Sequence, residues 1–299
     1  MHFAGRTMGT GWSLHAVTPP ADTAQGVQAA LDRVVTQMSQ WEPDSDLSRF
    51  NRGAPGRWRQ LPPGFVSVLK AALDVAAASG GAFDPAMGAL TELWGFGSAP
   101  APKSVPDSRV IAATMATDRA VELDSLGLRA RRGGGAQLDF SGIAKGYGVD
   151  HAAEWLLNHG VRHFLLEVGG ELRGEGSKPD GQPWWVDIEC PPGIAVPPVR
   201  VALHRLSVAT SGDYRRWLDA GGRRYGHTLD PRSGAPIEHG LRSVTVLHRS
   251  CMLADAWATA LTVLGPDEAL AMAEREGLAA HLIAEDGERM SPAFSEMLG

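Results

Sequence analysis

The segment LDFSGIAKGYGVD, at residues 138–150, concentrates residue types that could bind a phosphorylated ligand. Asp139 and Lys145 flank a turn of small residues, which lets backbone N–H and C=O groups approach a ligand closely. From Ile143 onward the pattern is typical of a helix start, where the helix dipole favours an anion and a lysine can pair with it. The alternative is an ordinary strand-to-helix turn, because a glycine-rich turn alone is weak evidence for a binding site.

A second candidate lies in CMLADAWATALTVLG, residues 251–265, where Asp255 and Thr259 are four residues apart and share one helix face. A carboxylate and a hydroxyl there offer two hard oxygen ligands for a cation of the size of magnesium. The surrounding residues are apolar, so the carboxylate needs a partner, which a metal would supply. Alternatively, Asp255 lies in the first turn of the helix, where the dipole favours it, and Thr259 bonds to its own helix backbone.

The turn YGHTLDP, at 225–231, places His227 three residues before Asp230, and a neutral imidazole there could accept a proton. A purely structural histidine is the alternative. Trp41 and Phe83 also lie in turns, where aromatic rings can wall a planar ligand or simply cover the hydrophobic core.

Hydrophobic periodicity and turn residues predict the elements that must position these side chains. The principal predicted helices are 22–38, 63–79, 143–159, 251–264 and 266–276. The predicted strands are 8–17, 162–168, 171–176, 184–190, 199–203, 206–210, 224–230, 242–247, 279–284 and 287–290, with a hairpin around 121–131. Consecutive strands favour an α+β fold of largely antiparallel sheets with packed helices over a doubly wound parallel sheet.

Composition excludes several classes of protein. The chain has 299 residues, 43% of them hydrophobic, which fits one large domain or two closely associated ones. Its formal net charge is −6 with scattered lysines and arginines, so we expect no nucleic-acid partner. Two cysteines provide neither a disulfide framework nor a zinc-binding CxxC pair. No stretch has the length and apolarity of a membrane span, and no export signal is visible, so a cytoplasmic location is the expectation from the sequence as it stands.

Taken together and in order, the motifs resemble the FAD:protein FMN transferases, also called the ApbE family. The matching segments are MGT (8–10), W41 with LSRFN (47–51), GAFDP to LWGFG (81–97), LDFSGIAKGYGVD (138–150), LLEVGGELRG (165–174), TSGDYR (210–215), HTLDPRSGAPI (227–237), SVTVLH to ADAWATALTVLG (243–265) and MSP (290–292). The resemblance covers nearly the whole chain, and so many ordered motifs are far more specific than any one of them.

The resemblance implies an ApbE-like (T-fold-like) architecture over residues 1–299, either as a single unit or as two intimate subdomains with the FAD site between them. It implies that FAD is the donor and that Mg²⁺ polarises its pyrophosphate. A Thr or Ser hydroxyl of a target flavoprotein would attack the phosphorus on the FMN side, and AMP would leave.

The resemblance also assigns roles to individual residues. The implied metal ligands are the Gly142 carbonyl, Asp255 and Thr259, and the implied proton acceptor is His227. The implied contacts to FAD are made by Met8, Trp41, Ala82, Phe83, Asp84, Asp139, Lys145 and Leu229.

Two other functions fit the same motifs. A metal-dependent FAD pyrophosphatase would use the same donor site with water as the nucleophile, giving FMN and AMP. A non-catalytic flavin-binding module would need the aromatic walls but not Asp255 and Thr259, so that pair favours catalysis. Family members usually follow an export or lipoprotein signal, so the resemblance implies a periplasmic, membrane-anchored location if an upstream leader was removed.

Overall fold

The computed structural model describes residues 1–102, 104–212, 214 and 216–298. Positions 213 and 215 of the TSGDYR motif therefore lie outside the described residues. The helices are α1 (Thr23–Met38), α2 (Asp46–Arg52), α3 (Pro63–Ala78), α4 (Gly88–Leu93), α5 (Ser108–Met115), α6 (Ala144–Asn158), α7 (Cys251–Leu264), α8 (Pro266–Arg275) and α9 (Pro292–Leu298).

The strands alternate with these helices only in part, and several follow one another directly. They are β1 (His2–Thr7), β2 (Thr10–Ala16), β3 (Arg59–Gln60), β4 (Val121–Asp124), β5 (Arg129–Arg132), β6 (Phe164–Val168), β7 (Glu171–Glu175), β8 (Trp184–Asp187), β9 (Arg200–Leu203), β10 (Leu206–Gly212), β11 (Trp217–Ala220), β12 (Arg223–Gly226), β13 (Leu229–Asp230), β14 (Ala235–Pro236), β15 (Leu241–His248), β16 (Ala279–Ala284) and β17 (Gly287–Met290).

The chain divides into two compact units. Unit 1 comprises Met1–Val35, Gly142–Gly212 and His239–Gly299. Unit 2 comprises Thr36–Ser141 and Asp213–Glu238.

Unit 1 is built on an antiparallel sheet whose strand order is β1-β2-β6-β7-β10-β15-β16-β17. Its strands alternate inward apolar residues with outward ones, as β6 shows with Phe164, Leu166 and Val168 fully buried. Helices α6 and α7 pack against each other and on β7 and β10 of this sheet. The sheet therefore fixes the two helices that carry Lys145 and Asp255.

Unit 2 combines α2 to α5 with small antiparallel sheets, including the three-stranded sheet β3-β5-β4. Its core contains a row of aromatic rings. The centroid of the Phe65 ring lies 6.2 Å from that of Phe50 and 5.1 Å from that of Phe140. All three side chains are at most 2% exposed.

The predicted α+β class with antiparallel sheets is confirmed, as are the five principal helices to within two residues at each end. The sequence reasoning missed helices α2 and α9 and strands β1, β3, β11 and β14. The segment containing α2 was interpreted as a polar turn, but Ser45 caps the helix by accepting from the Ser48 N–H at 2.9 Å, and Leu47 and Phe50 bury its inner face.

The single strand predicted at 224–230 is wrong. Gly221 and Gly222 have φ angles of +59° and +77°, which suit a two-residue hairpin turn, and they fold β12 back on β11. The short strand β13 then pairs separately with β14. Among the described residues, no helix is long and apolar enough to span a membrane.

Replacing Phe65 by alanine should destabilise unit 2 by about 3–5 kcal/mol, because the ring is fully buried and its loss leaves a cavity between two other rings. Urea unfolding followed by tryptophan fluorescence measures the change. Leu126→Ala is the control, since Leu126 is 98% exposed and its removal should leave the unfolding midpoint unchanged. A midpoint for Phe65→Ala equal to that of the control would contradict the packing described here.

Candidate active site

Helices α6 and α7 meet at Gly146 in unit 1. The Gly146 N–H donates to Oδ2 of Asp255 at 2.9 Å. Gly146 is the third residue of α6, so its N–H is one of those at the helix start that have no acceptor within the helix, and Asp255 supplies the acceptor instead. Gly142, whose carbonyl is one of the expected metal ligands, lies just before the N-cap residue Ile143 of α6.

Asp255 is buried, with 3% of its surface exposed. Desolvation raises its pKa above the ordinary aspartate value, although Lys145 and the Gly146 hydrogen bond oppose this effect. Among the described residues, Gly146 is the hydrogen-bond donor that reaches its carboxylate. Asp255 is the fifth residue of α7, so the alternative that it lies in the first turn is wrong. A buried carboxylate whose negative charge is offset by so few hydrogen bonds is suited to bind a cation.

Thr259 lies one turn after Asp255 on α7. Its Oγ1 is 3.2 Å from Oγ of Ser211 on β10. Nearby Thr262 donates to the carbonyl of Ala258 at 2.7 Å, which is the backbone bonding that sequence reasoning offered as the alternative for Thr259. The Thr259 hydroxyl is instead paired with another hydroxyl, so two side-chain oxygens lie together beside the helix.

Lys145 forms an ion pair with Glu171, the first residue of β7. The Glu171 side chain is 2% exposed, whereas that of Lys145 is 34% exposed. Desolvation raises the pKa of Glu171 to about 7, with Lys145 opposing the shift and Asp255 adding to it. Burial lowers the pKa of Lys145, but the attraction of the negative charges on Glu171 and Asp255 is larger, so the lysine pKa is raised overall. Lys145 thus stays a cation beside two buried carboxylates.

The oxygen donors in unit 1 fit magnesium. Among the described residues there is no cluster of three or more His, Cys, Asp or Glu side chains that could hold a metal. Mg²⁺ is commonly held by one or two carboxylates together with substrate phosphates, and does not require a complete protein cage. Asp255, Thr259 and the Gly142 carbonyl would supply such a partial set of hard ligands.

In unit 2, the segments 82–88 and 137–141 run side by side. The Asp139 N–H donates to the carbonyl of Pro85 at 2.8 Å, and Met87 and Gln137 form a parallel β-bridge. The carboxylates of Asp84 and Asp139 each cap their own turn. Oδ1 of Asp84 accepts from the Ala86 N–H at 2.8 Å. Oδ1 of Asp139 accepts from the N–H and the hydroxyl of Ser141 at 2.8 and 2.6 Å.

Two further side chains hold these turns in unit 2. Asn51, at the end of α2, donates through its amide to the Leu138 carbonyl and accepts from the Leu138 N–H, both at 2.8 Å. An amide side chain thus pairs with the backbone as a neighbouring strand would. The Arg119 guanidinium forms an ion pair with Asp84, with 3.4 Å between Nη1 and Oδ2. These contacts fix the backbone on either side of the predicted FAD-binding residues.

The apolar residues predicted to contact FAD differ in exposure. Trp41 is 52% exposed, so about half of its surface could contact a ligand. Ala82, Phe83 and Leu229 are buried, with 1%, 5% and 8% exposure. Met8, in unit 1, has a positive φ of 48°, and its Cε would lie 2.8 Å from a Cβ at Gly148.

His227 lies in unit 2 directly after β12. Its backbone N–H donates to the carbonyl of Arg216, and its Nδ1 is 3.2 Å from the same oxygen. Since a carbonyl can only accept, Nδ1 carries the hydrogen, and Nε2 is the unprotonated nitrogen of the neutral ring. The ring also stands edge-on to Phe96, with centroids 6.3 Å apart. This tautomer leaves Nε2 as the nitrogen able to take a proton.

The predicted residues thus fall into two sets. Lys145 and Asp255 lie together in unit 1, with Thr259 one turn further along α7. In unit 2, the Asp84 and Asp139 turns are neighbours, as the Asp139–Pro85 hydrogen bond shows.

Comparison with known proteins shows the family of the chain. A model of the ApbE family matches residues 8–282. The FAD:protein FMN transferase of Klebsiella pneumoniae (strain 342) is 35% identical over 309 aligned residues, covering 98% of this chain and 88% of that protein. The FAD:protein FMN transferase of Haemophilus influenzae is 34% identical, covering 94% of this chain and 85% of that protein.

Solved structures agree with these relatives. The apo form of the Pseudomonas stutzeri flavinyl transferase ApbE gives a TM-score of 0.92 at 40% identity, covering 100% of this chain and 96% of that one. The flavin transferase ApbE of Vibrio cholerae gives a TM-score of 0.91 at 33% identity, covering 99% of this chain and 98% of that one. The fold and the relatives together define an enzyme of the transferase class. The chain belongs to the ApbE family.

Sequence reasoning assigned no role to Glu171 or Asn51, and it found no catalytic arrangement around Ser211 that spacing alone could identify. No local pattern marks Glu171, because the residues of β7 do not alternate between buried and exposed positions. Ser211 and Asn51 belong to motifs that were recognised, but nothing in their spacing shows which atoms they contact. Those contacts arise only when distant segments pack together.

Replacing Gly146 by alanine should destabilise unit 1 by about 1–3 kcal/mol, because the added Cβ would lie 2.3 Å from the Cys251 carbonyl oxygen and 2.8 Å from the Asp255 Cβ. Neither atom is the end of a flexible side chain, so α6 and α7 must separate. Urea unfolding measures the loss. Gly134→Ala is the matched control, since no atom lies within 4 Å of a Cβ there. Equal stability of the two variants would show that α6 and α7 do not meet at Gly146.

Proposed function

We propose that this enzyme transfers FMN from FAD to a Thr or Ser hydroxyl of a target flavoprotein, with release of AMP and a requirement for Mg²⁺. The observation that carries the proposal is the buried Asp255 carboxylate on α7, hydrogen-bonded to the α6 backbone and followed one turn later by Thr259. Relatives covering nearly the whole chain are named for this reaction.

The metal would be held by Asp255, Thr259 and the Gly142 carbonyl. When bound, the cation supplies positive charge to the pyrophosphate oxygens and so eases both attack at phosphorus and departure of AMP. Asp255 is prepared for this role because its burial makes an uncompensated negative charge costly. The Gly146 N–H orients the carboxylate from the side of α6.

Lys145 would bind the phosphate oxygens of FAD. Its ammonium group carries three donors, and Glu171 engages one of them in the structure. Glu171 therefore restrains the lysine while leaving donors for an anion. The side chain is one-third exposed, which is compatible with contact to a ligand.

We propose that the residues of unit 2 named above keep the FAD contacts that the resemblance implies. Trp41 would offer an exposed aromatic face to a planar ring. The turns of Asp84 and Asp139 would present backbone groups and carboxylates that are already oriented by their own hydrogen bonds.

His227 would accept the proton of the attacking hydroxyl. A Thr or Ser hydroxyl is a weak nucleophile near neutral pH, so its proton must leave as its oxygen bonds to phosphorus. The bond between Nδ1 and the Arg216 carbonyl holds the ring in the tautomer in which Nε2 can accept. The bond from phosphorus to the AMP oxygen breaks as the new phosphoester forms.

The function is tested by incubating the protein with FAD, Mg²⁺ and a candidate acceptor flavoprotein, and weighing the products. We expect an acceptor heavier by one FMN phosphoester, together with AMP, and no adduct in excess EDTA. FMN and AMP without an adduct would identify a pyrophosphatase. Binding of FAD without turnover would identify a flavin-binding module. Full transfer in EDTA would refute the metal requirement.

Asp255→Asn is the matching variant for the metal site, because it keeps the size of the side chain and an acceptor for Gly146 but removes the charge. Transfer should fall to the level seen in EDTA while the fold survives. Asp267→Asn is its control, since the Asp267 side chain is 94% exposed and should leave transfer unchanged.

His227→Asn should slow transfer by roughly 10²–10⁴, the usual contribution of general base assistance, while the affinity for FAD stays nearly constant. Single-turnover transfer rates and calorimetric titration with FAD measure the two quantities. His204→Asn is the matched control, because its ring Nδ1 also bonds to a backbone carbonyl, that of Gly176, at 3.1 Å. A near-normal transfer rate would mean that another group accepts the proton of the hydroxyl. A loss of FAD binding would mean that His227 positions the ligand instead.

A further inference from the structure

Asp150 on α6 receives hydrogen bonds from four donors. Its carboxylate accepts from the Ser250 hydroxyl at 2.7 Å, from the N–H groups of Cys251 and Met252 at 3.0 Å each, and from the Arg173 guanidinium at 2.8 Å. The N–H groups at the start of a helix have no partner within it, and here a side chain from another helix satisfies two of them. Asp150 therefore fastens the N-terminus of α7 to α6.

Ser250 already caps α7 in the ordinary way, because its hydroxyl oxygen accepts from the Leu253 N–H at 3.3 Å. Asp150 adds a bond to that same hydroxyl and reaches the next two N–H groups. Arg173 holds the carboxylate from the other side and also pairs with Glu175 at 2.7 Å. The carboxylate is thus oriented from the sheet as well as from the helix.

Asp150 forms the second of two joints between the helices. The first is the hydrogen bond from Gly146 to Asp255. Gly146 and Asp150 are one turn apart on α6, and Cys251 and Asp255 are one turn apart on α7. Two hydrogen-bonded contacts one turn apart fix both the distance between the helices and the rotation of α7 about its own axis. A single contact would leave that rotation free.

This rotation decides where the proposed metal ligands point. Thr259 lies one further turn along the face of α7 that carries Cys251 and Asp255, and Gly142 lies one turn before Gly146. A small rotation of α7 would change the direction of both side-chain ligands relative to α6. Mg²⁺ tolerates little departure from octahedral geometry, so its affinity depends on that alignment.

We propose that Asp150 is a positioning residue of the metal site, which holds Asp255 and Thr259 in register with the Gly142 carbonyl and thereby sets the affinity for the divalent cation. This inference rests on the proposed function, because it takes those three groups as the ligands. Asp150 itself contacts neither the cation nor the substrate in this scheme.

The test measures cation binding and needs no acceptor protein. Metal-free protein is titrated with Mn²⁺, and free Mn²⁺ is counted by electron paramagnetic resonance, in the presence and absence of FAD. Asp150→Ala should weaken binding by roughly 10–100-fold, as is usual when a residue that orients a metal ligand is removed. Asp150→Asn should fall between wild type and Asp150→Ala, because its amide retains one acceptor and matches the carboxylate in size.

Ser291→Ala is the matched control for a loss of stability alone. The Ser291 hydroxyl is buried in unit 1, where it accepts from the Ala280 N–H at 2.9 Å and donates to the Leu278 carbonyl at 2.6 Å, and it belongs to neither α6 nor α7. All titrations are made well below the melting temperature of each variant. Ser291→Ala should lower that temperature without changing Mn²⁺ affinity.

The outcomes separate the inference from the proposed function. If wild type binds no Mn²⁺ even with FAD, the metal assignment fails and the role of Asp150 fails with it. If wild type binds Mn²⁺ and both Asp150 variants bind it equally well, the metal assignment stands and the positioning role is overturned. Asp150→Asn decides the matter if Asp150→Ala does not fold.

Discussion

The hydrogen bond from the Gly146 N–H to the Asp255 carboxylate is the contact on which the unit 1 site depends. It satisfies an N–H at the start of α6 that has no acceptor within that helix, so the carboxylate of α7 caps α6. It requires glycine at 146, because any Cβ would collide with the backbone of α7.

The negative charges around this bond are only partly balanced within unit 1. Burial disfavours ionised Asp255 and Glu171 and raises the pKa of both, and Lys145 partly compensates the two carboxylates. One lysine beside two buried carboxylates leaves a net negative charge. A divalent cation, as in the proposed function, would offset that negative charge.

Unit 2 positions its residues mainly through the backbone. Asn51 pairs with both polar backbone groups of Leu138, and the Asp139 N–H bonds to the Pro85 carbonyl. In both Asp84 and Asp139, one carboxylate oxygen accepts a hydrogen bond from a backbone N–H of the residue's own turn. The hairpin β11–β12 ends at His227, whose tautomer is set by the Arg216 carbonyl. Hydrogen bonds within and between turns thus orient side chains that come from separate segments of the chain.

The sequence by itself determined the α+β class, the principal helices and the shared helix face of Asp255 and Thr259, because periodicity and spacing are local properties of the chain. It also carried the ordered motifs that identify the family. It did not show the hairpin at Gly221 and Gly222, because strand β11, which pairs with β12, was not predicted. Only the tertiary structure revealed Glu171 beside Lys145, Ser211 beside Thr259 and Asp150 at the start of α7. Each of these contacts joins residues 26 to 100 positions apart, and packing, not local preference, decides which of them meet.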